Sequence, residues 1–299
     1  MTSGRNAGTF AVLLMMAGSA SAESLYGRYS LGFYGGRGQA SYSDINSFFD
    51  AFNEHSGILE NNLQEYNDFG GGSSYGVDVR HAFTDNFVFG ARIGFMQSSI
   101  SVEQDWIVVV DDGTTTVPLD RTVSVQTVPL TFTGYYYFPV IEGLHLYTGA
   151  GIGLYNSGLV SNSFHDVYNA GPGFDRGKHE FSQDPFGSGD RAWRGTEIGY
   201  QVSAGAEYAL SNHLALSGEG IFRVATIRTL KDESQNPSDG TGRDEFRHIQ
   251  VVDESFSNSP VYVYYHSPTE NRSVTTRDQT PVELNLTGLD LSLGLRLYF

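Results

Sequence analysis

The chain has 299 residues, a formal charge of −16, 36 glycines, 13% aromatics and no cysteine. Length admits one barrel-sized domain or two small ones, and the missing cysteine excludes disulfides, thiol chemistry and thiolate metal sites. So acidic a chain is a poor partner for nucleic acid, which rewards basic patches, and the aromatic and glycine content beside a mean hydropathy of −0.26 suits a barrel wall with polar loops better than a soluble globule.

Residues 1–22 read as a secretory signal peptide: Arg5, an apolar run from Phe10 to Ala17, then Ala20-Ser21-Ala22 as a small-x-small cleavage site, with the mature chain starting at Glu23. The run is too short for a transmembrane anchor, which needs about 20 apolar residues. Removing Arg5 takes the charge from −16 to −17.

Eight strands follow, each with apolar and polar residues on alternate positions. Leu25–Gly35 is the first; Leu25, Tyr29, Leu31 and Phe33 share a face, and Arg28 and Ser30 take the other. A long connection, Gly36 to Gly72, holds the one helical pattern of the mature chain. Ile45, Phe48, Phe49 and Phe52 fall at i, i+3, i+4 and i+7, with Ser43 or Asp44 to start the helix and Gly57 to end it. That stripe needs cover: its own barrel and loops, the membrane interface, or a partner. Ser74–Phe83 is the second strand, turning Asp78 and Arg80 away from Val77 and Val79; Phe87–Ser99, the third, does the same with Arg92. Only Thr84-Asp85-Asn86 separates them. The next loop, 100–121, contains Asp112-Gly113, a hairpin signal that would continue its flanking strands. Strand four ends in VPLTFTGYYYFP, and strand five, Leu144–Tyr155, sets Tyr147, Gly149, Gly151, Gly153 and Tyr155 opposite Leu146, Ile152 and Leu154. After a polar loop to Trp193, strand six (Thr196–Leu210) alternates Glu197, Gln201, Ser203 and Glu207 with Ile198, Tyr200 and Val202. Strand seven (Leu214–Arg228) opposes Glu219 and Arg223 to Leu216, Phe222 and Val224. The last loop, 229–281, leads to TGLDLSLGLRLYF, where Leu289 to Leu297 share one face and Asp290, Ser292, Gly294 and Arg296 the other. Phe246–Val252 and Val261–His266 in that loop would make ten strands if they formed a wall hairpin.

Connection lengths alternate long and short, as in transmembrane barrels with short periplasmic turns and long external loops. A soluble lipocalin-like barrel would put aliphatics inside and charges outside. Here the charges share a face with the glycines, so they are assigned to the lumen: Arg28, Arg80, Arg92, Arg223 and Arg296 against Asp78, Glu197, Glu207, Glu219 and Asp290. Charges in so narrow a space must be paired. They form either a salt-bridged plug or the lining of a narrow conduit.

No histidine pair has H-x-x-x-H ligand spacing and no catalytic constellation can be named, so the chain reads as a non-enzyme without cofactor or metal. The acid pairs Asp111-Asp112, Asp232-Glu233, Asp244-Glu245 and Asp253-Glu254 read as solvated surface rather than cation sites.

The phrases SYGVDVRHAFTDNFVFGARIGF, VPLTFTGYYYFP and LHLYTGAGIGLY resemble the small outer-membrane β-barrel superfamily, the group containing the OmpA membrane domain, OmpX and OmpW. The ending Tyr298-Phe299 resembles the insertion signal of such barrels. The resemblance implies an all-β, eight-stranded antiparallel up-and-down barrel over residues 23–299, in a Gram-negative outer membrane and folded by the barrel-assembly machinery. Its partners would be outer-membrane lipid, lipopolysaccharide and an extracellular ligand or host surface. Two roles are compatible with it: surface interaction through the long loops, or a narrow passive channel for small hydrophobic molecules.

Overall fold

The computed structural model describes residues 28–47, 49–50, 67–110, 113–165, 191–232, 247–252, 261–262 and 275–299. The segment 1–22, Phe48, Phe52, Glu233 and the acid pairs Asp111-Asp112, Asp244-Glu245 and Asp253-Glu254 lie outside them.

Eight strands form the wall: β1 (Tyr29–Ala40), β2 (Gly71–Ala82), β3 (Phe87–Val110), β4 (Gly113–Ile141), β5 (Leu144–His165), β6 (Arg191–Ser211), β7 (Leu214–Val224) and β8 (Gly288–Tyr298). Each pairs antiparallel with the next, and β8 returns to β1 with Ser30 opposite Tyr298 and Gly32 opposite Arg296, which closes the sheet. Closure removes the unpaired edges that an open sheet would expose.

The short connections 83–86, 142–143 and 212–213 gather at the end that holds Tyr29 and Phe299. Thr84 Oγ1 accepts the Phe87 amide at 2.9 Å, an ST-type turn, and Gly143 supplies the left-handed φ of +78° that its turn requires. At the opposite end the strands run past the length needed to cross a bilayer. β3 and β4 stay paired up to Val110 opposite Gly113, and β4 and β5 up to Leu119 opposite His165. Arg247–Val252 pairs with Val261–Tyr262 and Thr275–Pro281 in a separate three-stranded sheet rather than in the wall. The reason is length: six residues fall short of the 9–11 that a crossing strand needs.

The two faces separate sharply. Ile198, Leu291 and Leu293 are 66%, 61% and 70% exposed on the outside, whereas Asp78, Arg92 and Glu219 are 3%, 6% and 7% exposed within. Near the turn end, Phe83, Phe87 and Phe89 meet edge to face on the outside, with Tyr136 against Phe138 further round. This is the aromatic girdle of a membrane interface.

The interior has three layers. At the turn end, Tyr135, Tyr137 and Tyr147 pack with Ala82 and Val88, and Tyr298 closes on them. The middle layer is ionic. At the far mouth, an apolar cluster includes Tyr42, Ile45, Phe49, Phe69, Ile227, Leu230, Val282, Leu284 and Leu286. Residues 43–47 and 49–50 are helical, with Ile45 and Phe49 fully buried in this cluster. Thr226–Ile227 pairs with Leu284–Asn285 beside them. Tyr42 joins β1 to the helix with φ +45°. Such strain in a non-glycine residue persists only when its surroundings hold it. Here its amide donates to Asn285 O at 3.0 Å and its carbonyl accepts from Asn46 N at 2.9 Å.

Candidate functional site: the ionic layer of the lumen

Cross-strand register assembles the middle layer. Asp78 on β2 stands opposite Arg92 on β3 and opposite Gly32 on β1; Gly32 in turn stands opposite Arg296 on β8. A Cβ on Gly32 would lie 2.5 Å from Asp78 Oδ1 and 3.1 Å from Arg296 Nη2. Only glycine leaves those two groups room to meet across β1.

Asp78 accepts from three arginines. Arg296 grips it with both terminal nitrogens at 2.8 and 3.1 Å, a bidentate fork; Arg80 and Arg92 each approach Oδ2 to 3.3 Å. Arg80 reaches Glu219 at 3.3 Å, and Arg92 pairs with Glu219 directly. Arg296 Nε donates to Glu207 at 3.0 Å. Tyr137 accepts from Arg80 at 2.8 Å and donates to Glu207 at 3.4 Å, and the Tyr298 hydroxyl also donates to Glu207. The guanidinium of Arg80 lies 3.9 Å over the Tyr135 ring, and that of Arg92 lies 4.3 Å over Tyr34. These cation–π contacts add to the pairing.

Towards the mouth, Arg223 pairs with Asp290 and donates from Nε to Leu286 O at 2.8 Å, which ties the layer to the apolar cluster above. Arg80, Arg92, Arg223 and Arg296 thus face Asp78, Glu207, Glu219 and Asp290, four charges of each sign.

The structure leaves the two remaining sequence-predicted lumen charges outside this arrangement. Arg28 lies at the turn-end rim, where it donates to Asn212 O and covers Tyr298 at 5.0 Å. Glu197 is half-buried near the mouth and makes no ion pair among the described residues. Phe299 is 71% exposed at the rim. Sequence reasoning did not single out Tyr135, Tyr137 or Gly32 as parts of the layer. The alternation through VPLTFTGYYYFP did carry the signal, since Tyr136 and Phe138 face outward and Tyr135 and Tyr137 must then face in.

One void of about 30 Å³ lies among Tyr34, Arg92, Thr131, Gln201 and Asp290, and one of about 10 Å³ lies beside Arg80 and Tyr137. Both are of the scale of single waters. Among the described residues no group of three or more His, Asp or Glu side chains is arranged to hold a metal.

The family model described as outer membrane protein beta-barrel domain matches residues 9–251. No curated protein sequence matches the chain. Among solved structures, the outer membrane protein OprG of Pseudomonas aeruginosa is similar at 9% identity and a TM-score of 0.44, covering 92% of this chain and 96% of its own. The N-terminal β-barrel domain of Pseudomonas aeruginosa OprF is similar at 10% identity and a TM-score of 0.35, covering 92% and 98%. The outer membrane protease OmpT of Escherichia coli is similar at 9% identity and a TM-score of 0.28, covering 91% and 97%.

Proposed function

This chain belongs to the outer membrane protein β-barrel domain family, and from that premise we propose that it is a sealed barrel whose long external loops do its work. The protein resides in the outer membrane of a Gram-negative cell. In this reading the loops opposite the turn end bind an extracellular ligand or host surface, and the barrel serves as a non-enzymatic anchor. Its lumen is occupied by the ionic layer of Asp78, Arg80, Arg92, Glu207, Glu219, Arg223, Asp290 and Arg296. Residues 1–22 act as the signal peptide, and Tyr298-Phe299 is the signal read by the barrel-assembly machinery. Outer-membrane lipid surrounds the wall, and lipopolysaccharide is the proposed partner at the external rim.

The supporting observation is the matched ionic layer with two water-sized voids beside it. A solute in transit would have to break pairs that are costly to break. Single-channel recording in planar bilayers and uptake of a hydrophobic probe into proteoliposomes test the reading together. Silence in both assays is expected. Wild-type conductance that changes with Arg92→Gln or Glu219→Gln overturns it.

A second reading, a narrow passive channel for small hydrophobic molecules, draws on the apolar character of the side chains packed at the mouth, Tyr42, Phe49 and Leu284 among them. Probe uptake without ionic conductance is the result that would select it.

A further inference from the structure

Eight buried side-chain polar atoms have no hydrogen-bond partner among the described residues. Four of the eight belong to just three residues, and all three line one void: Arg92 Nε and Nη1, Tyr155 Oη and Asp290 Oδ1. This is the void of about 30 Å³, set between Arg92 of the ionic layer and Tyr155 of the mouth cluster. All three residues are buried, so bulk solvent does not serve these atoms. Leaving a buried donor or acceptor without a partner is costly. Three donors and one acceptor around a single space point to one ligand that answers them together.

Charge and room decide its chemistry. A halide would suit the donors of Arg92 and Tyr155, but it would lie beside the carboxylate of Asp290. A metal cation would suit Asp290, but it would lie beside the guanidinium groups of Arg92 and Arg223, which also line the space. Either ion would meet a charge of its own sign at close range. The ligand must therefore be neutral, and it must both accept and donate. A void of about 30 Å³ passes the roughly 10–15 Å³ that one water needs and falls far short of the roughly 300 Å³ of a small-molecule pocket. Water fits each requirement. It accepts from Arg92 and from the Tyr155 hydroxyl and donates one proton to Asp290 Oδ1. The hydroxyls of Thr131 and Ser292 line the same void and can take the other. Three or four bonds is the usual number for a buried water.

The position matters because the ion pairs fall into two groups. Asp78, Glu207 and Glu219 share Arg80, Arg92 and Arg296, whereas Asp290 pairs with Arg223. Among the described residues no ion pair joins the two groups. Arg92 belongs to the first and Asp290 to the second, and both border the void. We propose that an ordered water in this void bridges Arg92, Tyr155 and Asp290, with Tyr155 as the residue that positions it. The water makes one network of the two ionic groups. Through Arg223, which holds Leu286 O at 2.8 Å, that network reaches the strap at the mouth. The sealed-barrel reading does not depend on the water, because the charges stay paired without it.

Two measurements on the refolded full chain test it. Crystals grown in bromide should show an oxygen-sized peak within about 3.2 Å of an Arg92 nitrogen, Tyr155 Oη and Asp290 Oδ1, with no anomalous signal from bromide. A bromide signal at that point overturns the proposal, since the site would then serve an anion. A dry void overturns it as well. The second measurement is a double-mutant cycle of Tyr155→Phe with Asp290→Asn, read by urea unfolding from micelles. Coupling of roughly fivefold in the unfolding equilibrium constant is expected, although Tyr155 Oη has no hydrogen bond to any described residue. Tyr155→Phe with Tyr137→Phe is the control. Tyr137 borders the other void, so that pair should be additive. A heat-modifiability gel establishes that each variant is folded. Additive effects of Tyr155→Phe and Asp290→Asn overturn the proposal.

Discussion

Arg296 holds both carboxylate oxygens of Asp78 from the far side of β1, at 2.8 and 3.1 Å, across the gap left by Gly32. The fork joins β8 to β2, strands that are not neighbours in the wall, and so braces the barrel where its first and last strands meet.

Gly32→Ala would drive a methyl group to 2.5 Å from Asp78 Oδ1. A loss of about 1–3 kcal/mol is expected from such overpacking, read as a lower urea midpoint for unfolding from micelles. Gly218→Ala is the control. Its added methyl faces outward and meets only Leu293 Cδ2 at 3.4 Å, an ordinary contact, so the midpoint should hold.

Within the layer, Asp78→Asn should be the costliest conservative change, at about 3–5 kcal/mol, because it leaves three buried guanidinium groups short of an anion. Tyr137→Phe removes one hydroxyl between Arg80 and Glu207 and should cost about 1.5–3 kcal/mol. Urea titrations of the two variants under one condition check the ranking.

Arg223 links the ionic layer to the mouth, since it pairs with Asp290 and also holds Leu286 O. Arg223→Met should loosen the strap at residues 282–286 and speed tryptic cleavage after Arg228 and Lys231, which are already exposed. Asp290→Asn keeps the bond to Leu286 and should speed cleavage much less. Similar digestion rates for the two variants would refute this division of roles.

Burial pushes the Tyr42 hydroxyl up to about 12 from its usual 10. The folded state therefore holds that proton more tightly than the unfolded chain does. Its contribution is complete below pH 10 and is lost as pH rises towards 12. Alkaline titration followed by protection of residues 43–50 from proteolysis should show the mouth loosening in that window. Tyr42→Phe should move the loosening to higher pH.

The wall was legible because its rule is local: a strand alternates, and alternation over Leu289–Phe299 or Ser74–Phe83 sorts one face from the other without knowledge of any partner. The pairing inside the lumen was not legible, because which arginine meets which carboxylate depends on the stagger of eight strands. Arg28 obeyed the alternation yet stops at the rim, since it precedes the first residue of β1. Glu197 obeyed it too, but sits above the ionic layer. The mouth cluster was hardest to foresee. Ile227, Leu230, Val282, Leu284 and Leu286 lie on short, irregular stretches with no sustained period, and only the docked helix residues Ile45 and Phe49 carried a pattern.

The equal count of cations and anions in the ionic layer has an electrical corollary. A potential across the membrane does work of about 2.3 kcal/mol per elementary charge per 100 mV. On a layer with four charges of each sign the pushes cancel, so voltage alone exerts no net force to shift it as a body. A potential that rearranges the lumen has to act on individual charges rather than on the layer as a whole.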